Sequence, residues 1–307
     1  MMNKLSIVTT LYRSAPYIQE FYERIIPEIK KITTDYEIIF VDDGSPDDAR
    51  DVAKGLIAKD ANVKVAELSK NFGHHKAIMT GLSLATGDHI FLIDVDLEEP
   101  PELLSDFWKE LNDTHDTDVV YGVQETRKGK IFERVSGNLF FNFFNAFSDT
   151  KITRNLSLVR LMTKRYNENL IKHTERELIF SGLCALTGYN QREVFFKKTS
   201  KGSTTYHFSK KLDLAINHVV SFSSKPLVYI FYLGMILTLL SVIAIFYLFI
   251  RKLFFNVFEG WTSIVTSILF VGGVTIFSIG IVGIYLSKIF IEVKNRPYTI
   301  IKKIHEG

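Results

Sequence analysis

The chain reads as an α/β domain on a mostly parallel, doubly wound sheet, followed by interfacial helices and a hairpin of two transmembrane helices. Three features lead there. Before residue 130, apolar runs of strand length alternate with amphipathic stretches of helix length. Polar clusters stand at the ends of three of those runs. Near residue 225 the composition turns almost wholly apolar.

Taken in order, Lys4–Thr10 is a strand and Tyr17–Ile32 an amphipathic helix. Tyr36–Val41 is the second strand, with a helix over Pro46–Lys59. Val63–Leu68 is the third, followed by a helix over His75–Ala85 in which Gly81 permits close packing and Gly87 a stop. His89–Ile93, a helix over Pro101–Asn112 and a strand over Asp118–Tyr121 complete the series. Strands that are apolar along their whole length are buried on both faces, which points to parallel pairing with helices on both sides. In such sheets ligands bind at the carboxyl ends of strands. Three polar clusters fall there: Thr9-Thr10-Leu11-Tyr12, Asp42-Asp43-Gly44-Ser45 and Asp94-Val95-Asp96. Their coincidence at one edge argues for a single site. No G-x-G-x-x-G follows the first strand, so a dinucleotide site lacks support.

The most informative stretch is Ile90–Glu102, IFLIDVDLEEPPE. Asp94 and Asp96, one residue apart, fall on the same side of the chain as it leaves a buried strand. Carboxylates that close repel unless a cation or hydrogen-bond donors sit between them. A hard divalent ion, Mg²⁺ or Mn²⁺, that also bridges substrate phosphates resolves the repulsion. Pro100 and Pro101 stop the strand and start the next helix, with Glu102 in its first turn. Asp42 or Asp43 can accept hydrogen bonds from a base N–H or a ribose hydroxyl, and Gly44 allows a tight turn. Asp43 or Ser45 is also expected to cap the Pro46 helix. The loop Lys70-Asn71-Phe72-Gly73-His74-His75 offers a cation and amide donors for phosphates, or alternatively only a cap. Adjacent His74 and His75 lack the partners that a zinc site needs.

Net charge is only +3, which gives no support to a nucleic-acid surface. Lys197, Lys198, Lys201, Lys210 and Lys211 form a local basic patch. The single cysteine, Cys184, excludes an internal disulfide. The N-terminus lacks the pattern of a cleaved signal peptide and reads as the first strand. Pro226–Ile250 is free of charge, and Gly260–Ser287 is a second such stretch. Each exceeds the ~20 residues that cross a bilayer core as a helix. The connector carries only Arg251 and Lys252 as basic residues. Lys210, Lys211 and Lys225 on one outer flank and Lys288, Lys294, Arg296, Lys302 and Lys303 on the other put both ends in the cytoplasm. Tyr229, Trp261 and Tyr285 sit where an interfacial aromatic belt is expected. The expected organisation is a catalytic domain over 1–205, an interfacial linker over 206–225, the hairpin over 226–290 and a cytoplasmic tail over 291–307.

VTTLYRSAPYI, VDDGSPDDA, LSKNFGHHKA and DVDLEEPPE, as an ordered set, resemble family 2 glycosyltransferases of the GT-A fold. SFSSKPL, the paired apolar spans and YLSKIFIEVKNRPYTII narrow the resemblance to bacterial polyprenyl-phosphate glycosyltransferases, relatives of dolichol-phosphate mannose synthase. The resemblance covers nearly the whole chain and is weakest between about 150 and 205. It implies a nucleotide-sugar donor, with a UDP-sugar favoured, lying along the strand ends. Asp42 and Asp43 would hold the nucleoside with Thr10 and Tyr12 beside it, and Lys70 is counted with this donor set. Asp94 would face the ribose or the metal, and Asp96 would ligate Mg²⁺ or Mn²⁺ bridging the diphosphate; these two are the expected catalytic pair. The implied acceptor is a polyprenyl phosphate, undecaprenyl phosphate in a bacterium, whose anionic oxygen attacks with inversion and needs no strong base. Lys197, Lys198 and Lys201, with Ser203 and Tyr206 of a G-x-S-x-Y-like segment and Arg160, are the expected acceptor-phosphate set. The product would serve cell-envelope glycan or O-antigen modification, in the bacterial inner membrane. The resemblance also implies a homotetramer.

Two amphipathic stretches, His207–Ser221 and the phenylalanine-rich Val135–Phe147, suit the bilayer interface, the second equally a buried core or subunit contact. Two departures touch the acceptor side. Leu158 stands where the family has an aspartate, with Ser157 and Asn155 nearby, and Thr199 stands where it tends to have an arginine. Two other readings follow: a different lipid acceptor, which would need a base such as Glu98, Glu99 or Asp96, and a degenerate scaffold in a glycan-export complex.

Overall fold

The computed structural model of the protein describes residues 4–113, 116–125, 156–176, 180–197, 225–254 and 260–307. Eight strands form one sheet: β1 (Leu5–Leu11), β2 (Tyr36–Asp42), β3 (Val63–Leu68), β4 (His89–Leu92), β5 (Val119–Gln124), β6 (Leu156–Thr163), β7 (Gln191–Phe196) and β8 (Ile301–His305). Their order across the sheet is β7-β5-β6-β4-β1-β2-β3-β8.

The central strands are hydrophobic for the expected reason. β1 lies between β2 and β4, parallel to both, and all seven of its residues are buried. α1 (Ala15–Ile32), α2 (Ala49–Ile57) and α4 (Leu103–Asp113) contribute Ile18, Phe21, Ile25, Ala53, Leu56, Leu104 and Phe107 to one core cluster with Ile7, Leu11, Phe40 and Phe91. α3 (His74–Leu84) packs on β1 and β2. It approaches so closely that a Cβ on Gly81 would stand 2.5 Å from Val8 Cγ1 and 2.9 Å from Val41 Cγ2. No larger residue fits there without displacing the helix from the sheet.

The sheet is mixed, which corrects the mostly parallel expectation. β6 runs antiparallel to both β4 and β5, and β8 runs antiparallel to β3. β1, β2, β3 and β4 therefore end at the same edge at which β6 and β8 begin. The order β4-β1-β2-β3 reverses between β1 and β4, which makes their carboxyl ends the crevice where such sheets bind ligands.

Two long helices follow, α7 (Lys225–Phe254) and α8 (Trp261–Val293), with the short helices α5 (Lys164–Leu170) and α6 (Phe180–Thr187) preceding them. Among the described residues, Phe270–Val293 is long and apolar enough to cross a membrane, and Leu227–Leu237 is a shorter apolar stretch. Ile276, Phe277, Ile279 and Leu286 are each more than 60% exposed, an arrangement suited to a nonpolar surrounding. Within residues 291–307, Ile301–His305 join the sheet as β8. The stretches 135–147 and 207–221 lie outside the described residues.

Candidate active site

Three loops leave the sheet at its carboxyl edge and meet. The first follows β1. Thr10 lies next to its end, and its hydroxyl is 3.0 Å from His74 Nδ1. Beyond it Tyr12 is half-exposed, with the Arg13 guanidinium 5.6 Å from its ring centroid. The Arg13 N–H donates to Ser45 Oγ (2.8 Å), which ties this loop to the one after β2.

The second loop holds Asp42 and Asp43, each 2% exposed. Asp42 Oδ1 accepts from the Ser45 N–H (3.0 Å). Asp43 accepts two amides of the third loop, Phe72 N–H at 2.7 Å and Gly73 N–H at 3.0 Å. Burial pushes both carboxyls above the ordinary aspartate range, although these amide hydrogen bonds work the other way. Gly44, at φ +63°, carries the turn between the loops. A Cβ there would lie 2.6 Å from the Asn71 nitrogen and 2.7 Å from the Lys70 carbonyl carbon. Glycine is thus required twice over, by its conformation and by the backbone pressed against it. Neither Asp43 nor Ser45 caps α2, which starts later than expected: Asp48 is its N-cap residue, and Asp47 Oδ1 accepts weakly from the Ala49 N–H at 3.4 Å. Asp43 is instead engaged in holding the third loop.

That loop runs from β3 into α3. Lys70 is exposed, with its ammonium 5.3 Å from the Phe72 ring centroid. His74, the first residue of α3, reaches Thr10 through Nδ1 and Asp94 through Nε2, 3.5 Å from Asp94 Oδ1. It bridges the strand ends on the two sides of the crevice. Sequence reasoning gave His74 no role at the site, and no local pattern marks a contact between residues 64 positions apart.

After β4, burial alternates: Val95, Leu97 and Glu99 point inward, and Asp94, Asp96 and Glu98 stay partly exposed. Asp96 Oδ1 accepts the Glu98 N–H (3.0 Å), which shapes the turn, with Leu97 at φ +62°. The accessible carboxylates of Asp94 and Asp96 are a hard-oxygen pair that fits Mg²⁺ or Mn²⁺. Among the described residues no cluster of three or more metal-binding side chains exists. The remaining ligands would then come from bound phosphate and water.

On the far side of β4 lies β6. Ser157 Oγ donates to Glu99 Oε1, fastening the start of β6 to the Asp94–Asp96 turn. Arg160, paired in register with Leu92, is 1% exposed. Its Nε donates to the Leu158 carbonyl (3.0 Å), and its guanidinium lies 4.7 Å from the Phe180 ring centroid. Lys197 is 85% exposed and 4.0 Å from Glu125 Oε2. Lys198, Lys201, Ser203 and Tyr206 lie outside the described residues. The structure thus brings together Thr10, Asp43, His74 and Asp94. Arg160 lies inside the sheet on the neighbouring strand, and Lys197 lies on the surface after β7.

Residues 6–171 match the domain described as Glycosyl transferase family 2. The chain belongs to that family. The glycosyltransferase resembles a Mycobacterium tuberculosis (strain CDC 1551 / Oshkosh) protein named as a glycosyltransferase, at 49% identity over 98% of this chain and 88% of that one. It is 31% identical to the SfII prophage-derived bactoprenol glucosyl transferase of Shigella flexneri, over 99% of both chains. It is 29% identical to the prophage bactoprenol glucosyl transferase homolog of Escherichia coli (strain K12), over 98% of this chain and 99% of that one. The α/β fold with its mixed sheet is GT-A-like.

Proposed function

We propose that this glycosyltransferase moves a sugar from a nucleotide-sugar, a UDP-sugar first among them, to a polyprenyl phosphate such as undecaprenyl phosphate at the cytoplasmic face of the membrane. The observation that supports this reading is that Thr10 and Asp94, at the ends of β1 and β4, both meet His74, while Asp43 holds the loop that carries it. Relatives named for bactoprenol, aligned over nearly the whole chain, support the acceptor class.

The chemistry suits these residues. Asp42 and Asp43, with Thr10 and Tyr12, orient the nucleoside, and Lys70 meets the diphosphate. Asp94 and Asp96 would hold a divalent ion, which when bound would supply charge neutralisation for the departing nucleoside diphosphate. The acceptor phosphate oxygen forms the new C–O bond as the bond to the diphosphate breaks, from the opposite face, so the anomeric centre inverts. That oxygen is already anionic, and no strong base is needed. Arg160, Lys197, Lys198 and Lys201, with Ser203 and Tyr206, hold the acceptor phosphate. α7 and α8 both cross the bilayer, the sheet domain and both termini face the cytoplasm, and the chain assembles as a homotetramer.

One structural detail favours a second acceptor class. Glu98 is partly exposed, as Asp94 and Asp96 are, whereas Glu99 is buried, so Glu98 is the more accessible candidate base for a lipid hydroxyl. Transfer from a panel of labelled UDP- and GDP-sugars to undecaprenyl phosphate and, in parallel, to diacylglycerol decides, using full-length protein in lipid with Mn²⁺ or Mg²⁺. The expected result is an acid-labile lipid product with one donor, lost in Asp96→Asn. Metal-dependent nucleotide binding with product only on a neutral lipid would favour the second class. Neither binding nor transfer by folded protein would overturn both.

A further inference from the structure

The chain beyond α8 returns to the sheet and passes the site edge as it enters β8. β8 pairs with β3 through Val65↔His305, Ala66↔Ile304, Glu67↔Lys303 and Leu68↔Ile301. Because the pairing is antiparallel, the incoming end of β8 lies beside the outgoing end of β3, where the Lys70 loop starts. Contacts continue beyond the ladder. The Ser69 N–H donates to the Ile300 carbonyl at 2.9 Å, and the Thr80 and Thr299 hydroxyls are 2.8 Å apart. The Thr80 hydroxyl donates to the Lys76 carbonyl, which leaves Thr299 as the donor to Thr80.

These two contacts bracket the third loop of the site. Between Ser69 and Thr80 lie Lys70, the Phe72 and Gly73 amides on Asp43, and His74 with its bonds toward Thr10 and Asp94. On the opposite side the loop already presses on Gly44. It is therefore held between the β2 turn and the returning tail.

Little of that hold is hydrophobic, since Ile300, Ile301 and Ile304 remain 54%, 38% and 41% exposed. The fastening is polar and centres on Glu67, whose side chain is 8% exposed. Its carboxylate receives Lys302 Nζ at 2.7 Å, Arg50 Nη1 at 3.1 Å and His305 Nε2 at 3.2 Å. Two of the three partners belong to β8, so Glu67 locks the tail to β3 and α2 together.

We propose that residues 299–305 are a positioning element of the donor site. By gripping Ser69 and Thr80 they fix the 70–76 segment for the nucleotide-sugar, so the segment after the second long helix serves donor binding. This inference rests on the reading of that edge as the donor site. The test uses full-length protein in lipid nanodiscs, with donor KM, kcat and nucleotide affinity measured for Thr299→Val, Thr299→Ser, Glu67→Gln and a chain ended after Tyr298. Asp43→Asn serves as the site control, and thermal unfolding reports folding.

Loss of one net hydrogen bond, about 1 kcal/mol, corresponds to roughly a fivefold rise in donor KM for Thr299→Val, with kcat nearly unchanged. Thr299→Ser should restore the wild-type KM, and the shortened chain should show a rise of roughly tenfold or more. Wild-type donor KM in a folded chain ended after Tyr298 overturns the inference while leaving the donor site standing. If that chain does not fold, an unchanged KM in Thr299→Val overturns it instead. A wild type that binds no nucleotide, or an Asp43→Asn that binds it normally, overturns the donor-site reading itself.

Discussion

On one side of β4 the sheet is built of parallel strands, β1 to β3, each joined to the next through a helix. On the other side β6 and β5 run as antiparallel neighbours, with β7 beyond them. The first half carries Thr10, Asp42, Asp43, Lys70 and His74, and its three loops bond to one another. The second half supplies Arg160, sealed inside with its Nε on a backbone carbonyl, and Lys197, which stands out in solvent. The side proposed for the donor is thus already interlocked in the free chain. The residues assigned to the acceptor share no such network among the described residues. A soluble nucleotide-sugar can meet a preformed site, whereas a lipid phosphate is delivered at a membrane.

The contrast can be tested by asking whether each half fails alone. Removing divalent ions with a chelator should have the largest effect, lowering transfer about a thousandfold or more by several kcal/mol of lost charge stabilisation. Donor affinity should fall with it, while binding of the polyprenyl phosphate persists. Gly44→Ala should come next. The left-handed backbone alone costs about 1–2 kcal/mol, and the new Cβ meets the Lys70–Asn71 backbone. Lower Tm and weaker donor binding should appear together, with the acceptor KM unaffected. Lys197→Ala should do the reverse, raising acceptor KM roughly twofold to fivefold as an exposed cation is lost, while donor KM holds. An equal change in both constants would erase the distinction between the halves.

The smallest effect concerns acid. Lys302, supported by His305 and Arg50, holds the Glu67 carboxyl at about 2. Burial would raise Glu37, yet Ser6, Thr86 and Lys64 outweigh it and bring that group to about 2 as well. Both lie below the ordinary glutamate value of 4.5. Their stabilisation is complete above that value and drains away as pH falls toward 2. At pH 4 each should have lost under about 1 kcal/mol. Thermal unfolding between pH 6 and pH 3 should show this slope flattened in Glu37→Gln and Glu67→Gln.

The same division explains what could be read from the residues alone. β1 to β4 are largely apolar and, apart from Tyr36, Lys64 and His89, buried, and their polar ends stand out against them, so elements and candidate donor residues emerge together. Boundaries shift by a few residues, as in α2, where Pro46-Asp47-Asp48 forms the turn before the helix. β6, LSLVRLMT, carries a buried arginine mid-strand and pairs with β4 far upstream, and neither fact has a local signature. β8, IKKIH, looks like a basic membrane flank because Lys302 finds its carboxylate 235 residues away. His74 escaped for the same reason: its partners are set by topology and not by spacing.

The edge closed by β8 also has a history in time. β3 emerges early in synthesis, and its outer row of N–H and C=O groups has no cover until the last residues of the chain appear. Both long apolar helices must be made in between. An uncovered strand edge invites pairing with other chains. The sheet is therefore finished only after those helices have been made, and a ribosome that stalls before residue 299 leaves behind a domain with an adhesive flank.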